Sequence, residues 1–326
     1  MANSVLVPDL DTLLSLTPTL TDSVEYQDFA VHLLKSELSF IYQNVGKEYK
    51  TLADNSSRNE NQDNVFLMLQ SACAYEALFK STMETVIRRT GEATAIVRTE
   101  KMAIASDSKL LVQKNEFRDN AFSSLETAIN LMDNNIDDFQ TYKNEVYAQN
   151  KELILYNTQS FEYHIFINNS PIVYKKLVPN IREFQKNDLK KIWGETIYNA
   201  VVAALISAPN YDGLETTVYK NLVIDYACPF LAHSVYADML LKNLLYLDSN
   251  GAVIYKSNPS EDTAGQSFQT ADRQFMVATA NEHKQSATYY KYEMIQYLNA
   301  NPTLFPTYTN QNTASKHKIF KGIRPL

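Results

Sequence analysis

A chain of 326 residues with 45% hydrophobic content can bury one large core or two ordinary ones. Only 7 glycines are present, too few for the tight turns of a doubly wound sheet or a phosphate-cradling loop, so helices are favoured. The net charge of −7 argues against a general nucleic-acid binder, which needs a basic footprint to displace counterions.

The opening MANSVLVPDL has neither a basic n-region nor a long apolar run, so it does not read as a signal peptide, and no apolar stretch is long enough to span a bilayer. The first predicted helix has Asp22 or Ser23 as candidate N-cap and places Leu34, Leu38, Ile41, Tyr42 and Val45 on one inward face. A second helix, about 62–89, turns Val65, Leu69, Ala72, Cys73 and Val86 inward. Gly91 is then a C-terminal stop, TAIV (94–97) a short β-like run, and Phe117, Ala121, Leu125, Ala128, Ile129 and Met132 the stripe of a third helix. Asn-rich punctuation and the tetrapeptide FQTY (139–142) close this part.

Residues 143–176 read as a linker in which YHIFI (163–167) is a candidate strand. The order then repeats. Leu189, Ile192, Trp193, Ile197, Ala200, Val201 and Ala204 make one helical stripe, and Leu222, Ala227, Leu231 and Leu240 a second, about 214–246. Pro229 should kink or restart that second helix. Gly251 precedes AVIY (252–255), and Ala287, Tyr290, Met294, Tyr297 and Leu298 lead to FPTY (305–308).

A shift of 166 aligns Phe139, Thr141 and Tyr142 with Phe305, Thr307 and Tyr308; a shift of 155 aligns Cys73 with Cys228; a shift of 156 aligns Ile41 with Ile197 and Tyr42 with Tyr198. On this reading the offset grows once, at the loop-like SNPSEDTAG (257–265), and surface loops accept such insertions cheaply. The fold class is therefore mainly α: a tandem duplication of two similar helical domains, 1–142 and 177–308, each with a short β-like segment, followed by an extended arm, 309–326. Two copies are too few for a solenoid.

Chemistry is sparse in the sequence. The five histidines show no metal-protease spacing, the two cysteines form no CxxC, and no P-loop, GxGxxG or GxSxG occurs, so neither a cofactor, a metal nor an enzymatic activity is expected. Cys73 and Cys228 read as buried small hydrophobes of a protein assembled in a reducing cytosol. Asp133, Asp137 and Asp138 read as a solvated helix end, lacking the central Gly and terminal Glu of a calcium loop.

The one candidate binding element is the basic arm. Lys316, Lys318, Lys321 and Arg324 stand there without an acid, interleaved with Ile319, Phe320, Ile323 and Leu326; without those four cations the chain would carry −11. A segment of that kind anchors apolar side chains on a partner while its cations meet acidic groups, although a solubilising terminus has the same composition.

YQNVGKEY (42–49), SACAYEALF (71–79), the Gly and β-like run, and the FxTY close together resemble the head–tail connector (adaptor or neck) proteins of tailed bacteriophages. The likeness is to a virion-protein family of Bacteroides-type phages and prophages, and residues 160–193 resemble that family's lead-in and first helix. It covers roughly 5–308; Pro229 and the loop near 257–265 depart from it. The resemblance implies a cyclic homo-oligomer, twelvefold in that family, seated on the portal among other neck or tail proteins. It implies assembly in the host cytoplasm and residence at the head–tail junction of the virion, away from membranes, with DNA passing through unbound to specific sites. The alternative from composition alone is an intracellular helical adaptor or regulator that binds a protein partner.

Overall fold

The computed structural model describes residues 4–18, 25–89, 94–96, 107–207, 211–215, 217–242, 245–248, 251–254 and 270–309. The chain divides into two compact units, Met1–Gln149 and Asn150–Leu326.

In the first unit, Asp9 caps α1 (Leu10–Leu16) by accepting from the Thr12 N–H at 2.8 Å. Helix α2 (Tyr26–Ser36) runs into a π-helical turn (Glu37–Ile41) and then α3 (Tyr42–Val45). Gly46 stops α3 at φ 63°, a backbone region open only to glycine with its ψ of −141°. After α4 (Glu48–Asp54) comes the long α5 (Glu60–Val86), an antiparallel two-stranded turn of β1 (Ile87–Arg89) and β2 (Thr94–Ile96), and the long α6 (Asp107–Asn134). Helices α5 and α6 lie side by side, with Tyr75 tilted on Phe117 and Lys114 over the Phe79 ring. Helix α7 (Gln140–Glu145) closes the unit.

The second unit repeats this order. Asn157 caps α8 (Thr158–Glu162), and Ser170, with Pro171 in the first turn, caps α9 (Pro171–Phe184). A π-helical turn (Gln185–Leu189) leads to α10 (Lys190–Trp193), which Gly194 stops at φ 79°. Helix α11 (Glu195–Ser207) follows, then a further π-helical turn (Leu222–Ala227) and α12 (Cys228–Leu241), where Pro229 sits in the first turn and restarts the helix. Strands β3 (Leu245–Asp248) and β4 (Gly251–Ile254) pair antiparallel, and α13 (Thr270–Ala300) packs on α12 before FPTY.

The duplication reaches further back than the sequence motifs. A shift of 148 carries the whole lead-in of one unit onto the other. The cap Asp9 falls on the cap Asn157, buried Leu13 on buried Phe161, and Gly46 on Gly194. The Tyr26 hydroxyl donates to the Val7 carbonyl at 2.7 Å, and the Tyr174 hydroxyl donates to the Leu155 carbonyl at 2.7 Å. Glu37 and Gln185, each the first residue of a π turn and each buried, lock the lead-in backbone. Glu37 accepts from the Ser4 hydroxyl at 2.6 Å and the Val5 N–H at 2.8 Å; Gln185 accepts from the Ile154 N–H at 2.8 Å and donates to the Glu152 carbonyl at 2.7 Å.

Several expectations change accordingly. The offset grows twice, first across α4 and α11, which have 7 and 13 residues, and again before α13. Ile41 therefore corresponds to Leu189 and Tyr42 to Lys190, not to Ile197 and Tyr198. The segment 143–176 is no linker: from Asn150 it is the folded start of the second unit, with Leu153, Ile154, Leu155 and Phe161 in its core. YHIFI forms a turn, not a strand. Ile165 and Ile167 point inward, Asn168 and Asn169 take left-handed φ of 59° and 48°, and the Glu162 carboxylate accepts the Ile167 and Asn169 N–H groups that a strand partner would have bound.

The stripe 189–204 is split by Gly194. Gly251 opens a strand instead of stopping a helix. Glu25, whose side chain makes no capping hydrogen bond, stands at the N-cap of α2, while Asp22, Ser23 and Gly91 lie outside the described residues.

The remaining core agrees with the periodicity. Cys73 and Cys228 are both buried on the central helix of their unit. Phe139 and Phe305 are buried too, the latter edge-on to Tyr297 of α13. Asn135 and Asn301 each donate a side-chain N–H to the carbonyl four residues back, Leu131 and Tyr297, so the two long helices end alike.

Candidate functional site

The eight arm residues singled out from sequence, Lys316, Lys318, Ile319, Phe320, Lys321, Ile323, Arg324 and Leu326, lie outside the described residues. Within them, three features bear on function: buried acids, a histidine cluster and exposed apolar side chains.

The buried or half-buried carboxylates of the first unit hold the fold. Glu48 accepts the Tyr142 N–H at 2.6 Å, fixing the FQTY close; burial raises its pKa, and that backbone bond opposes the rise. Glu76 pairs with Lys80 at 3.1 Å, and burial again raises its pKa. Asp133 accepts from the Tyr142 hydroxyl at 2.8 Å, and burial lifts it to about 6. Asp137 pairs with Lys143 at 2.6 Å, and Asp138 accepts from Asn61 at 2.7 Å. In DNNIDD, Asp133 and Asp138 are thus tied to α7 and α5, while Asp137 is exposed as a solvated helix end requires.

Three of the five histidines gather in the second unit, which sequence spacing did not reveal because they come from α12, α13 and the turn after α8. His233 and His283 face each other with Nδ1 atoms 2.8 Å apart, so one neutral imidazole donates Nδ1–H to the other. Tyr290 stacks on His233 and Tyr236 meets His283 edge-on. Burial, followed by the neighbouring His283 and His164, holds His233 down to about 4. Burial alone holds His164 down to about 4, and burial lowers His283 against the pull of Glu282. The pair stays uncharged at neutral pH and acts as a polar contact inside a helix–helix seam. Among the described residues no group of three His, Cys, Asp or Glu is arranged to hold a metal ion. No helix among them is long and apolar enough to cross a membrane.

The exposed apolar residues distinguish the units. In the first, Val31 (42% exposed), Leu38 (51%) and Tyr42 (44%) follow one another along the outer face of α2, the π turn and α3, with half-buried Leu34 between them. Leu34, Leu38 and Tyr42 were expected inside. The wider π turn keeps Phe29, Leu33, Glu37, Ile41 and Val45 inward at every fourth residue, and Glu37 hides that row from a hydrophobicity pattern. The corresponding positions of the second unit are Pro179, Arg182, Lys186 and Lys190. There Arg182 pairs with Glu152 at 3.4 Å and Lys190 with Glu195 at 2.8 Å. The second unit instead exposes Tyr163 (84%) and Phe166 (60%) on the turn after α8. The charge also divides: the first unit has 22 acids against 13 Lys and Arg, net −9, and the second 15 against 17, net +2, of which the arm's Lys316, Lys318, Lys321 and Arg324 supply four, so the rest of that unit is at −2.

Comparison with known proteins gives one family. A model described as a family of unknown function (DUF6712) matches the chain twice, over residues 26–152 and 189–318. No curated protein and no solved structure matches. The two lead-ins, whose caps, tyrosine bonds and glycine stops coincide at a shift of 148, begin before the match of their own unit.

Proposed function

We infer that this chain, which belongs to the family of unknown function DUF6712 and carries its pattern twice, is a structural subunit of a tailed-bacteriophage virion. In this reading it forms part of a cyclic ring at the head–tail junction, bound to the portal and to neighbouring neck or tail proteins. The observation that favours it is the unequal outer face of the two units. Two helical bodies of one design differ where they meet solvent, one apolar and acidic, the other cationic. A subunit that must meet different neighbours on its two halves needs such a difference, and a closed ring of identical subunits is built from heterologous contacts. The likeness of YQNVGKEY, SACAYEALF and the FxTY closes to connector proteins points the same way. The basic arm, 309–326, is the bridging element: cations and apolar side chains for a neighbour's acidic, apolar surface.

The test is mass measurement and negative-stain imaging of the purified chain, alone and mixed with a portal protein from the same genome. A ring alone, or a ring seated on the portal, is the expected result. A monomer or dimer that ignores the portal at all concentrations contradicts the reading and leaves the intracellular adaptor.

A further inference from the structure

The outer face of α2, the π turn and α3 has no reason within its own unit to be apolar. The second unit folds on the same backbone plan, with a π turn of the same length and a glycine stop at the same place, and carries Arg182, Lys186 and Lys190 on that face. Leu38 and Tyr42 are therefore not demanded by folding, and leaving them in water forgoes the gain that burial would bring. A surface outside the unit that covered them would recover that gain.

We propose that this face is the docking site for residues 316–326 of a second copy of the chain. The match is chemical on both sides. The face is apolar along Val31, Leu34, Leu38 and Tyr42, and exposed Glu25 and Asp28 stand at the amino end of the same helix, within a unit of net charge −9. The segment brings Ile319, Phe320, Ile323 and Leu326 among four cations and no acid. It follows Thr309, the last described residue, and seventeen residues reach at most about 60 Å when extended. The corresponding face of the second unit offers Arg182, Lys186 and Lys190 in place of the apolar row, two of them already paired with Glu152 and Glu195, so it gives the segment's apolar side chains no matching surface. Only the assignment to a second copy rests on the ring reading.

Photo-crosslinking of the full chain tests this. Benzoylphenylalanine replaces Phe320, and equal amounts of nitrogen-14 and nitrogen-15 protein are mixed before irradiation. The expected product joins position 320 to residues 31–42 as mixed-isotope pairs. Its yield should fall about tenfold or more in the Leu38→Lys/Tyr42→Lys variant, as loss of an interface anchor does, and should fall with added salt. Crosslinks mapping elsewhere, joining only same-isotope pairs, or surviving the double variant overturn the proposal. If mixed pairs at 31–42 form in particles that are not closed rings, the ring reading fails and the docking site stands. Closed rings that crosslink elsewhere overturn the docking site and leave the ring reading intact.

Discussion

The two units share a backbone plan and differ in how polar chemistry is distributed over it. Glu37 and Gln185 do the same work at the same place, yet Glu37 gathers donors from Ser4 and Val5 while Gln185 both accepts and donates. Gly46 and Gly194 end the same helix, but a Cβ on Gly46 would sit 3.0 Å from the Glu145 carboxylate, whereas one on Gly194 would meet nothing within 4 Å. The first unit keeps buried acids and an apolar outer face; the second keeps a histidine pair and a cationic face. What duplication conserves is the set of groups that fix the backbone. What diverges is charge at half-buried sites and the surface.

The largest expected effect tests whether the closes are equivalent. Phe139→Ala and Phe305→Ala should each cost about 3–5 kcal/mol, the usual loss for a buried ring, and each should lower the unfolding transition of its own unit in a denaturant titration. A loss confined to one of them would show that the two FxTY closes are not the same element.

Next comes the lead-in lock. Glu37→Ala leaves the Ser4 hydroxyl and the Val5 N–H without their acceptor and should cost about 2–3 kcal/mol. Glu37→Gln keeps an acceptor and should cost less than about 1 kcal/mol, while Gln185→Glu sets a carboxylate against the Glu152 carbonyl and should cost about 2 kcal/mol. Equal tolerance of both exchanges in urea melts would contradict the described geometry.

Gly46→Ala and Gly194→Ala separate backbone strain from crowding. Both force a side chain into a region it avoids, at about 1–2 kcal/mol. Only Gly46→Ala should add a further cost, about 1 kcal/mol, from the Glu145 and Val146 contacts. The order is checked by comparing midpoints of the two variants; Gly194→Ala being the worse would overturn it.

The last comparison is one of sign. His233 titrates at about 4 when folded and near 6.5 when unfolded, so its unfolded state takes up the proton first. The His233 contribution to the stability of the second unit is full well above pH 6.5 and should fall by about 2 kcal/mol on acidification to pH 5, and His164 and His283, also lowered by burial, add falls of the same sign. Asp133 is the reverse. Its folded value of about 6 lies above the unfolded 3.8, so the first unit should gain about 1 kcal/mol over the same change from pH 7. Calorimetry at pH 7 and pH 5 should show the two transitions moving apart, and the fall should shrink in His233→Gln. Parallel movement would remove the histidine pair from the account.

Much of this fold was legible in the sequence where apolar side chains recur at helical spacing. The stripe from Phe117 to Met132 and the paired cysteines are buried as periodicity requires. The lead-ins were not legible, because their equivalence rests on Tyr26 with Tyr174, a cap with a cap, and an acid with an amide, a pattern of hydrogen bonds more than of hydrophobicity. The π turns misled the reading of α2: one extra residue per turn moves Leu38 and Tyr42 to solvent while a buried Glu37 breaks the inward row. The histidine cluster was invisible for a different reason. His164, His233 and His283 are far apart in the chain, and only the packing of α12 on α13 brings the last two into contact.

The claim that the first unit's outer face serves assembly and not folding is tested most directly by writing the second unit's residues into it. Native mass spectrometry and thermal melting of the Leu38→Lys/Tyr42→Lys variant, beside the unaltered chain, give both readouts. The predicted result is an unchanged melting transition, within about 0.5 kcal/mol as for exposed substitutions, together with loss of the higher-order species. A variant that assembles as the unaltered chain does, or one that melts markedly lower, would contradict it.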